Sequence, residues 1–167
     1  MNIGPYPISI QIVLQLIVSF FVLQTCAGKS IRDIVSQAAV RSIQERGHFA
    51  LAIPGGSILK MLAGEIPNKD EWTSKTTLFY VNHKCVGMDD KDLATHAKAR
   101  KLFLDSWNGV NAIILDGTDD GEKEAKSYED KMRSLSEVVL PRCEDTGLPV
   151  FDLALIGVGG KFIARSV

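Results

Sequence analysis

The chain has 167 residues, 46% of them hydrophobic and 23% charged, which is typical of one globular domain and excludes an intrinsically disordered chain. Its 19 basic and 20 acidic residues give a formal net charge of −1, so neither a nucleic-acid surface nor a nucleic-acid partner is expected. The cysteines stand far apart with no CxxC pair, which indicates neither a disulfide framework nor a zinc site. They are Cys26, Cys85 and Cys143.

An almost continuous apolar run occupies residues 8–23, near the N-terminus. The run is short for a membrane span but has the length of a signal-peptide core, and small residues follow it at positions 25–27. No Lys or Arg precedes Ile8, so the positive segment usual in signal peptides is missing. Three interpretations stay open for residues 1–29: a signal sequence, an uncleaved membrane anchor, or a segment packed on the domain or foreign to its fold. Residues 30–167 are predicted to form the domain.

The first part of this domain predicts a helix, a strand and a glycine turn. Ser30 is expected to cap a helix that ends at about Arg46, before Gly47, and the apolar residues 49–53 are typical of a buried strand. The turn Gly55-Gly56-Ser57 follows, with its serine as N-cap or hydroxyl donor of a short helix. Glycines let the backbone approach an anion, and the free N–H groups of a helix start attract negative charge. The turn therefore predicts either an anion cradle or a plain strand-to-helix connection.

A second apolar run, residues 77–81, predicts a buried strand that ends in the polar cluster Asn82-His83-Lys84. A parallel α/β sheet carries its ligand groups at this end of its strands. His96 stands alone on a helix predicted over residues 93–105 and is interpreted as a surface residue rather than a catalyst. Three aspartates before that helix suit its dipole as a solvated cap rather than a metal site. They are Asp89, Asp90 and Asp92.

The rest of the chain predicts two more strands around a charged helix. Residues 110–115 and 151–156 are apolar runs, and residues 122–139 have the spacing of an amphipathic helix. Its inward-facing residues are expected to be Ala125, Tyr128, Met132, Leu135 and Val139. Apolar strands alternating with helices predict a three-layer, doubly wound α/β fold with a mostly parallel sheet, incomplete at the C-terminus. The glycines after residue 156 do not complete a dinucleotide fingerprint, because its third glycine falls at Phe162.

Four stretches together resemble the 6-phosphogluconolactonase family, and its plant members in particular, in their order and spacing. They are residues 49–57, 72–86, 93–104 and 151–159. This family lies within the wider glucosamine-6-phosphate isomerase/6-phosphogluconolactonase group. The resemblance implies hydrolysis of 6-phosphoglucono-1,5-lactone to 6-phosphogluconate in the oxidative pentose phosphate pathway, without a metal or an organic cofactor. It also implies a location in the cytoplasm or a plastid, against which a secretory or membrane-anchored location through residues 8–23 stays open. It spans residues 30–167, roughly the first two-thirds of a family domain.

The chain departs from the family pattern at several positions. Family loops read Ser-Gly-Gly-Ser, and the first serine is Pro54 here, which removes a hydroxyl and an N–H. The family's Asp-Glu-Arg at the second strand end is Asn82-His83-Lys84, and its Ser-Asn pair is Ala94-Thr95. The Asp, Gly and His of the family motif Gly-x-Gly-x-Asp-Gly-His fall on Lys161, Phe162 and Ile163, so the general base that the resemblance implies is absent.

The resemblance implies that a small sugar phosphate binds at Gly55, Gly56 and Ser57, and Lys84 keeps a positive charge expected to line the same cleft. No catalytic residue is assigned. Two interpretations of His83 stay open: it replaces the missing general base, or it is a substituted motif position without that role.

Four hypotheses follow. The first is a lactonase-like chain whose activity is lost or weakened. The second is a non-catalytic sugar-phosphate binder or partner of an intact paralogue. The third is a truncated product without a stable fold, because an open edge strand and a missing part of the core favour aggregation. The fourth is an isomerase-type enzyme, which needs carboxylates that Asn82-His83-Lys84 does not supply.

Overall fold

The structure, a computed structural model, describes residues 8–83, 86–87, 90–91 and 93–156, with side chains from Cys26 onward. Within these residues the centre is a parallel sheet of four strands in the order β3-β2-β1-β4. In chain order the strands are β1 (Phe49–Ile53), β2 (Thr76–Tyr80), β3 (Asn111–Ala112) and β4 (Leu153–Ala154). The parallel sheet expected from the sequence is confirmed.

β1 lies inside the sheet, and all five of its residues are buried. Leu51 is in register with Leu78 of β2 on one side and with Leu153 of β4 on the other. A strand that is covered on both faces has to be apolar throughout. The uninterrupted apolar run of residues 49–53 therefore suits an inner position rather than an edge.

Five α-helices surround the sheet in the described chain. They are α1 (Ile8–Arg46), α2 (Ser57–Leu62), α3 (Lys69–Trp72), α4 (Thr95–Leu102) and α5 (Gly121–Arg133). A 3-10 turn follows α3 and another follows α4, at Thr73–Lys75 and Leu104–Ser106.

α1 starts much earlier than the sequence predicts. It runs from Ile8 to Arg46, through Ser30 and across the predicted boundary at residues 29–30. The Ser30 hydroxyl donates to the Cys26 carbonyl at 3.1 Å, one turn back in the same helix. The predicted cap at Ser30 is wrong, because the helix has no end there for a side chain to cap. The predicted stop is confirmed at Gly47, whose φ is +85°.

Apolar side chains cover both faces of the sheet and produce three layers. One face packs against α1, α2 and α4 through Val35, Ala39, Leu59, Leu62, Ala99 and Phe103. The opposite face packs against α5 and the turns after it through Met132, Leu135 and Leu140. The doubly wound, three-layer α/β class is therefore confirmed.

Several elements are shorter than predicted. α4 covers Thr95–Leu102 rather than residues 93–105, because the chain tightens into the 3-10 turn Leu104–Ser106. α5 ends at Arg133 rather than at residue 139, and the chain then turns so that Leu140 is fully buried against the sheet. The apolar runs at residues 110–115 and 151–156 form β3 and β4, which are two residues long each.

One prediction about the buried face of α5 is wrong. Ala125, predicted to face inward, is exposed, and its neighbour Glu124 is only 2% exposed. The Glu124 carboxylate accepts the backbone N–H groups of Asp116 at 3.1 Å and Thr118 at 2.8 Å. These bonds lower the pKa of Glu124, with the Thr118 bond as the main cause. This turn of α5 therefore holds the preceding loop.

An ion pair joins α1 to the sheet. The guanidinium of Arg46, the last residue of α1, donates to Oδ1 and Oδ2 of Asp152 at 2.9 and 2.6 Å. The backbone N–H of Ala50 donates to the same Oδ2 at 2.7 Å. Because Asp152 directly precedes β4, this Arg46–Asp152 clamp fixes α1, β1 and β4 relative to one another.

Candidate functional site

The carboxyl ends of β1 and β2 lie at one edge of the sheet, and the predicted anion loop is there. The Gly55 N–H donates to Asn82 Oδ1 at 3.0 Å, which joins the loop after β1 to the loop after β2. A Cβ at Gly55 would lie 3.3 Å from the hydroxyl of Thr95, the first residue of α4. Three chain segments therefore converge. We call Gly55, Gly56, Ser57, Asn82 and Thr95 the carboxyl-edge site.

Gly56 has φ +77°, a conformation that residues with a side chain rarely adopt. The positive φ is therefore what favours glycine here. A Cβ would meet no described atom within 4 Å, so the space beside Gly56 is open with respect to the described residues. Ser57 is an exposed residue inside α2, and no side chain caps the helix at Gly56. The expected N-cap role of Ser57 is wrong, and its role as a hydroxyl donor stays a prediction.

His83 comes directly after Asn82, and its side chain is half-buried. Both ring nitrogens are shielded from solvent, and neither has a hydrogen-bond partner among the residues described. Buried polar groups in proteins are nearly always paired, and a neutral imidazole has one N–H to donate and one lone pair to offer. The hydrogen-bonding capacity of His83 is thus unused among the described residues.

His96 also belongs to this edge of the sheet. Its Nδ1 lies 2.7 Å from the hydroxyl of Tyr80, the last residue of β2, and the two rings meet edge to face with centroids 5.8 Å apart. Burial lowers the pKa of His96, and the charge of Arg100 and a smaller effect of His83 act in the same direction. Burial also raises the pKa of Tyr80, so its hydroxyl keeps its proton. The interpretation of His96 as a lone surface residue is wrong.

Tyr128 of α5 reaches the end of β2 from the opposite face. Its hydroxyl accepts the backbone N–H of Tyr80 at 2.8 Å, a group that would otherwise bond to a neighbouring strand. Burial raises the pKa of Tyr128 to about 12. Side chains from both helical layers are therefore fixed at the residue where β2 ends.

The predicted site residues fall into two groups. The structure places Gly55, Gly56, Ser57 and His83 at the same edge of the sheet. Lys84 lies outside the described residues, as do the substituted motif positions, which are Lys161, Phe162 and Ile163. In the described part of the chain, no three His, Cys, Asp or Glu side chains are grouped so as to hold a metal ion.

Sequence reasoning missed three contributors to this edge and the hydrogen bond of a fourth. Asn82 was predicted only as part of the polar cluster after the second strand, Thr95 was noted only as a departure from a motif, and Tyr80 and Tyr128 only as apolar positions. The signal for Asn82 was present, because a polar residue directly after a buried strand is suited to bonding the next loop. The bonds of the two tyrosines required the packing of β2 between α4 and α5, which no local pattern contains.

Comparison with known proteins identifies the family. The family model described as glucosamine-6-phosphate isomerases/6-phosphogluconolactonase matches residues 25–161. The chain belongs to this family. A probable 6-phosphogluconolactonase of Schizosaccharomyces pombe is 28% identical over 142 residues, which are 79% of this chain and 53% of that protein. A rice protein named probable 6-phosphogluconolactonase 3, chloroplastic, is 31% identical over 141 residues, 79% of this chain and 42% of that protein.

Solved structures agree on the fold of this 6-phosphogluconolactonase-like chain. A crystal structure of a 6-phosphogluconolactonase from Shewanella baltica superposes with a TM-score of 0.55 at 14% identity, over 68% of this chain and 49% of that one. The chain thus spans about half the length of the relatives that it matches. The predicted resemblance and α/β fold are confirmed.

The long helix α1 raises the question of a membrane segment. Among the helices of the described chain, none is both long enough and apolar enough to cross a membrane.

Proposed function

We propose that this chain binds 6-phosphogluconate or its lactone at the carboxyl-edge site. The observation that carries the proposal is the convergence of three segments at Gly55, which is bonded to Asn82 and closely approached by Thr95, in a chain of this family. Two of the structure's features suit a phosphate: open space beside Gly56, and a helix start that no side chain caps. Backbone N–H groups at such a start are good phosphate donors.

In this proposal the residues have separate roles. The backbone of Gly56 and Ser57 donates to the phosphate, and the Ser57 hydroxyl adds a further donor. Lys84 supplies a positive charge to the phosphate as a point charge rather than a bidentate fork. Gly55 is a positioning residue, because its N–H is already bonded to Asn82 and its missing side chain allows Thr95 to approach.

The binding test is thermal denaturation with and without 6-phosphogluconate. Ligand at 100 times its Kd stabilises a folded chain by about 2.7 kcal/mol. For a chain of this length that raises Tm by roughly 5–10 °C. Unphosphorylated gluconate is the control, and we expect no shift from it. An unchanged Tm with millimolar 6-phosphogluconate would refute the proposal.

A matched pair of variants locates the binding. Gly56→Ala and Gly147→Ala place a side chain at φ +77° and +67°, and neither added Cβ meets a described atom within 4 Å. Each costs about 1–2 kcal/mol of stability through backbone strain. Gly147 lies in a turn before β4, where its N–H donates to the Cys143 carbonyl, and it is not part of the carboxyl-edge site. We expect Gly56→Ala to lose at least tenfold in affinity, whereas Gly147→Ala binds as wild type.

For catalysis we propose that lactone hydrolysis is lost or strongly weakened, because Ile163 stands where the resemblance implies a general base. The alternative is a working lactonase that uses His83, which the unpaired ring nitrogens favour. Measured hydrolysis of 6-phosphoglucono-1,5-lactone separates these readings. No rate above the spontaneous one supports the first. Turnover that His83→Ala abolishes would establish the second.

Two further candidate functions have less support. A non-catalytic partner of an intact paralogue gives binding without turnover, and adding the paralogue would reveal it as a change in that enzyme's rate. An isomerase-type activity predicts turnover of glucosamine 6-phosphate, which we do not expect because Asn82-His83-Lys84 contains no carboxylate.

For location we propose the cytoplasm or a plastid, in keeping with a relative named chloroplastic. A reporter fused to residues 1–30 tests this placement. A diffuse cytosolic or plastid signal supports it, and a secreted or membrane-bound reporter would restore the signal-sequence or anchor interpretation of residues 1–29.

A further inference from the structure

Two histidines flank the carboxyl-edge site, and the roles above leave them without a necessary function. His83 follows Asn82, the residue that holds the glycine loop through Gly55. His96 follows Thr95, whose hydroxyl would lie 3.3 Å from a Cβ on Gly55. Each histidine is therefore one residue away in sequence from a side chain that lies beside this glycine.

Among the described residues, neither imidazole uses all of its hydrogen-bonding capacity. His83 has two ring nitrogens that are shielded from water and unpaired among the described residues. His96 has its Nδ1 bonded to Tyr80, so Nε2 is the nitrogen with which it would bond a ligand. The Tyr80 hydroxyl cannot itself supply charge here, because burial raises the pKa of that phenol. Any positive charge gained by these three side chains has to come from protonation of an imidazole.

Within the described residues, the cation that acts on His96 is Arg100, and a carboxylate already engages it. Arg100, on the same helix, is paired with Asp105 at 2.7 Å, and both side chains are 59% exposed. Across the sheet edge, the groups that reach the end of β2 are the neutral phenols of Tyr80 and Tyr128. Burial is the main cause that lowers the pKa of His96, so the imidazole is neutral at neutral pH without a ligand.

We propose that His83 and His96 form a proton-linked anion-binding pair, in which one imidazole takes up a proton from solvent as a phosphorylated sugar acid enters the carboxyl-edge site. The inference rests on the proposed binding function and adds its regulation by pH. A bound phosphate supplies acceptors for an imidazolium N–H, and sugar hydroxyls pair with the other nitrogen. For His96 the bare site disfavours the charged form by burial, and the anion reverses that balance. Binding and proton uptake are therefore a single coupled event.

The linkage has a defined sign. If the free imidazole is neutral and the bound one is charged, the association constant decreases as pH rises, by up to about tenfold per pH unit for one proton. The phosphate of the ligand titrates with a pKa near 6, so pH 7.0–8.5 is the range in which that phosphate stays mostly dianionic. The wild-type chain is expected to bind 6-phosphogluconate at least about fivefold more tightly at pH 7.0 than at pH 8.5.

The chain contains a matched control, since its third histidine is His48. His48 directly precedes β1, toward the opposite end of the strands, and its Nε2 lies 2.9 Å from the Thr77 hydroxyl. Burial lowers its pKa as it does that of His96. His48→Gln therefore removes a comparable half-buried imidazole without touching the carboxyl-edge site.

The experiment is calorimetric titration of 6-phosphogluconate at pH 7.0 in two buffers of different ionisation enthalpy, which counts the protons taken up. We expect net uptake by the wild type and by His48→Gln, and uptake reduced by at least half in His83→Gln or His96→Gln. Equal uptake in all four proteins overturns the inference and leaves the binding proposal standing. Absence of any binding heat, together with an unchanged Tm, overturns both.

Proton NMR of the wild type covers the case in which a variant does not fold. The three histidines give three Cε1–H titration curves. On adding 6-phosphogluconate, the midpoint of at least one curve, assigned to His83 or His96, is expected to rise, while that of His48 stays fixed. If binding shifts signals but moves no histidine midpoint, the pair is not proton-linked.

Discussion

Replacement of Asp152 by Asn tests the clamp that fixes α1, β1 and β4. Asp152 Oδ2 accepts from both Arg46 and Ala50, at 2.6 and 2.7 Å, while Oδ1 accepts a second bond from Arg46 at 2.9 Å. An asparagine has one acceptor oxygen in place of two. Its NH2 group must then face either the guanidinium or the Ala50 N–H, so at least one donor loses its acceptor.

The magnitude follows from burial. The Asp152 side chain is 12% exposed and that of Arg46 is 25% exposed, so solvent replaces the lost bonds poorly. Breaking one side of a fully buried ion pair costs 3–5 kcal/mol, and a hydrogen bond to a charged group contributes about 1.5–3 kcal/mol. Because Arg46 keeps some solvent contact and its bonds to the carbonyls of Val138 and His48, we expect a loss of about 3 kcal/mol.

The assay is urea denaturation followed by circular dichroism. With a slope of about 2 kcal/mol per molar urea, a loss of about 3 kcal/mol lowers the midpoint by roughly 1.5 M. Asp105→Asn removes the same charge from the Arg100–Asp105 pair, whose side chains are 59% exposed, and should leave the midpoint almost unchanged. Equal midpoints for the two variants would refute the reasoning from burial.

Three further predictions concern pH and buried hydroxyls. Burial lowers the pKa of His48 and His96 below the usual 6.5, so the unfolded chain binds protons first. The free energy of unfolding should therefore decrease as pH falls from 7.5 to 5.5, and His48→Gln should flatten that decrease. Tyr128→Phe leaves the Tyr80 N–H without its acceptor and should cost about 1–3 kcal/mol; an unchanged urea midpoint contradicts this. Glu124→Gln should be destabilising at pH 7, and the deficit should shrink progressively as pH falls below about 4.5, because the charged carboxylate makes the stabilising bonds.

The inner strands of the fold could be predicted from local pattern, and the edge strands could not. β1 covers Phe49–Ile53 as its apolar run predicts, because an inner strand in a parallel sheet is apolar on both faces. The run at residues 110–115 looks equally strand-like, yet β3 is Asn111–Ala112. One physical reason lies on β2, where the N–H of Tyr80 is bonded to Tyr128 and is not available to β3. A strand's length depends on its neighbour as well as on its own sequence.

The site was predictable where the backbone determines it. Gly55 and Gly56 were found because a close approach and a positive φ both select glycine, and such a requirement is visible in sequence. His96 was wrongly predicted to be a surface residue, because its burial results from the packing of α4 against β2. A single polar residue on a short helix gives no indication of that contact. The role of Lys84 as a positive charge lining the cleft stays a prediction.

The Arg46–Asp152 clamp has a consequence for synthesis of the chain. Its two partners are 106 residues apart. At ribosomal rates of about 5–20 residues per second, Asp152 follows Arg46 by roughly 5–20 s. β1 can pair with β2 during that interval, but its other edge waits for β4. For seconds the nascent chain thus exposes the unpaired backbone N–H and C=O groups on one side of a strand whose side chains are all apolar, and a holding chaperone would protect the chain most there.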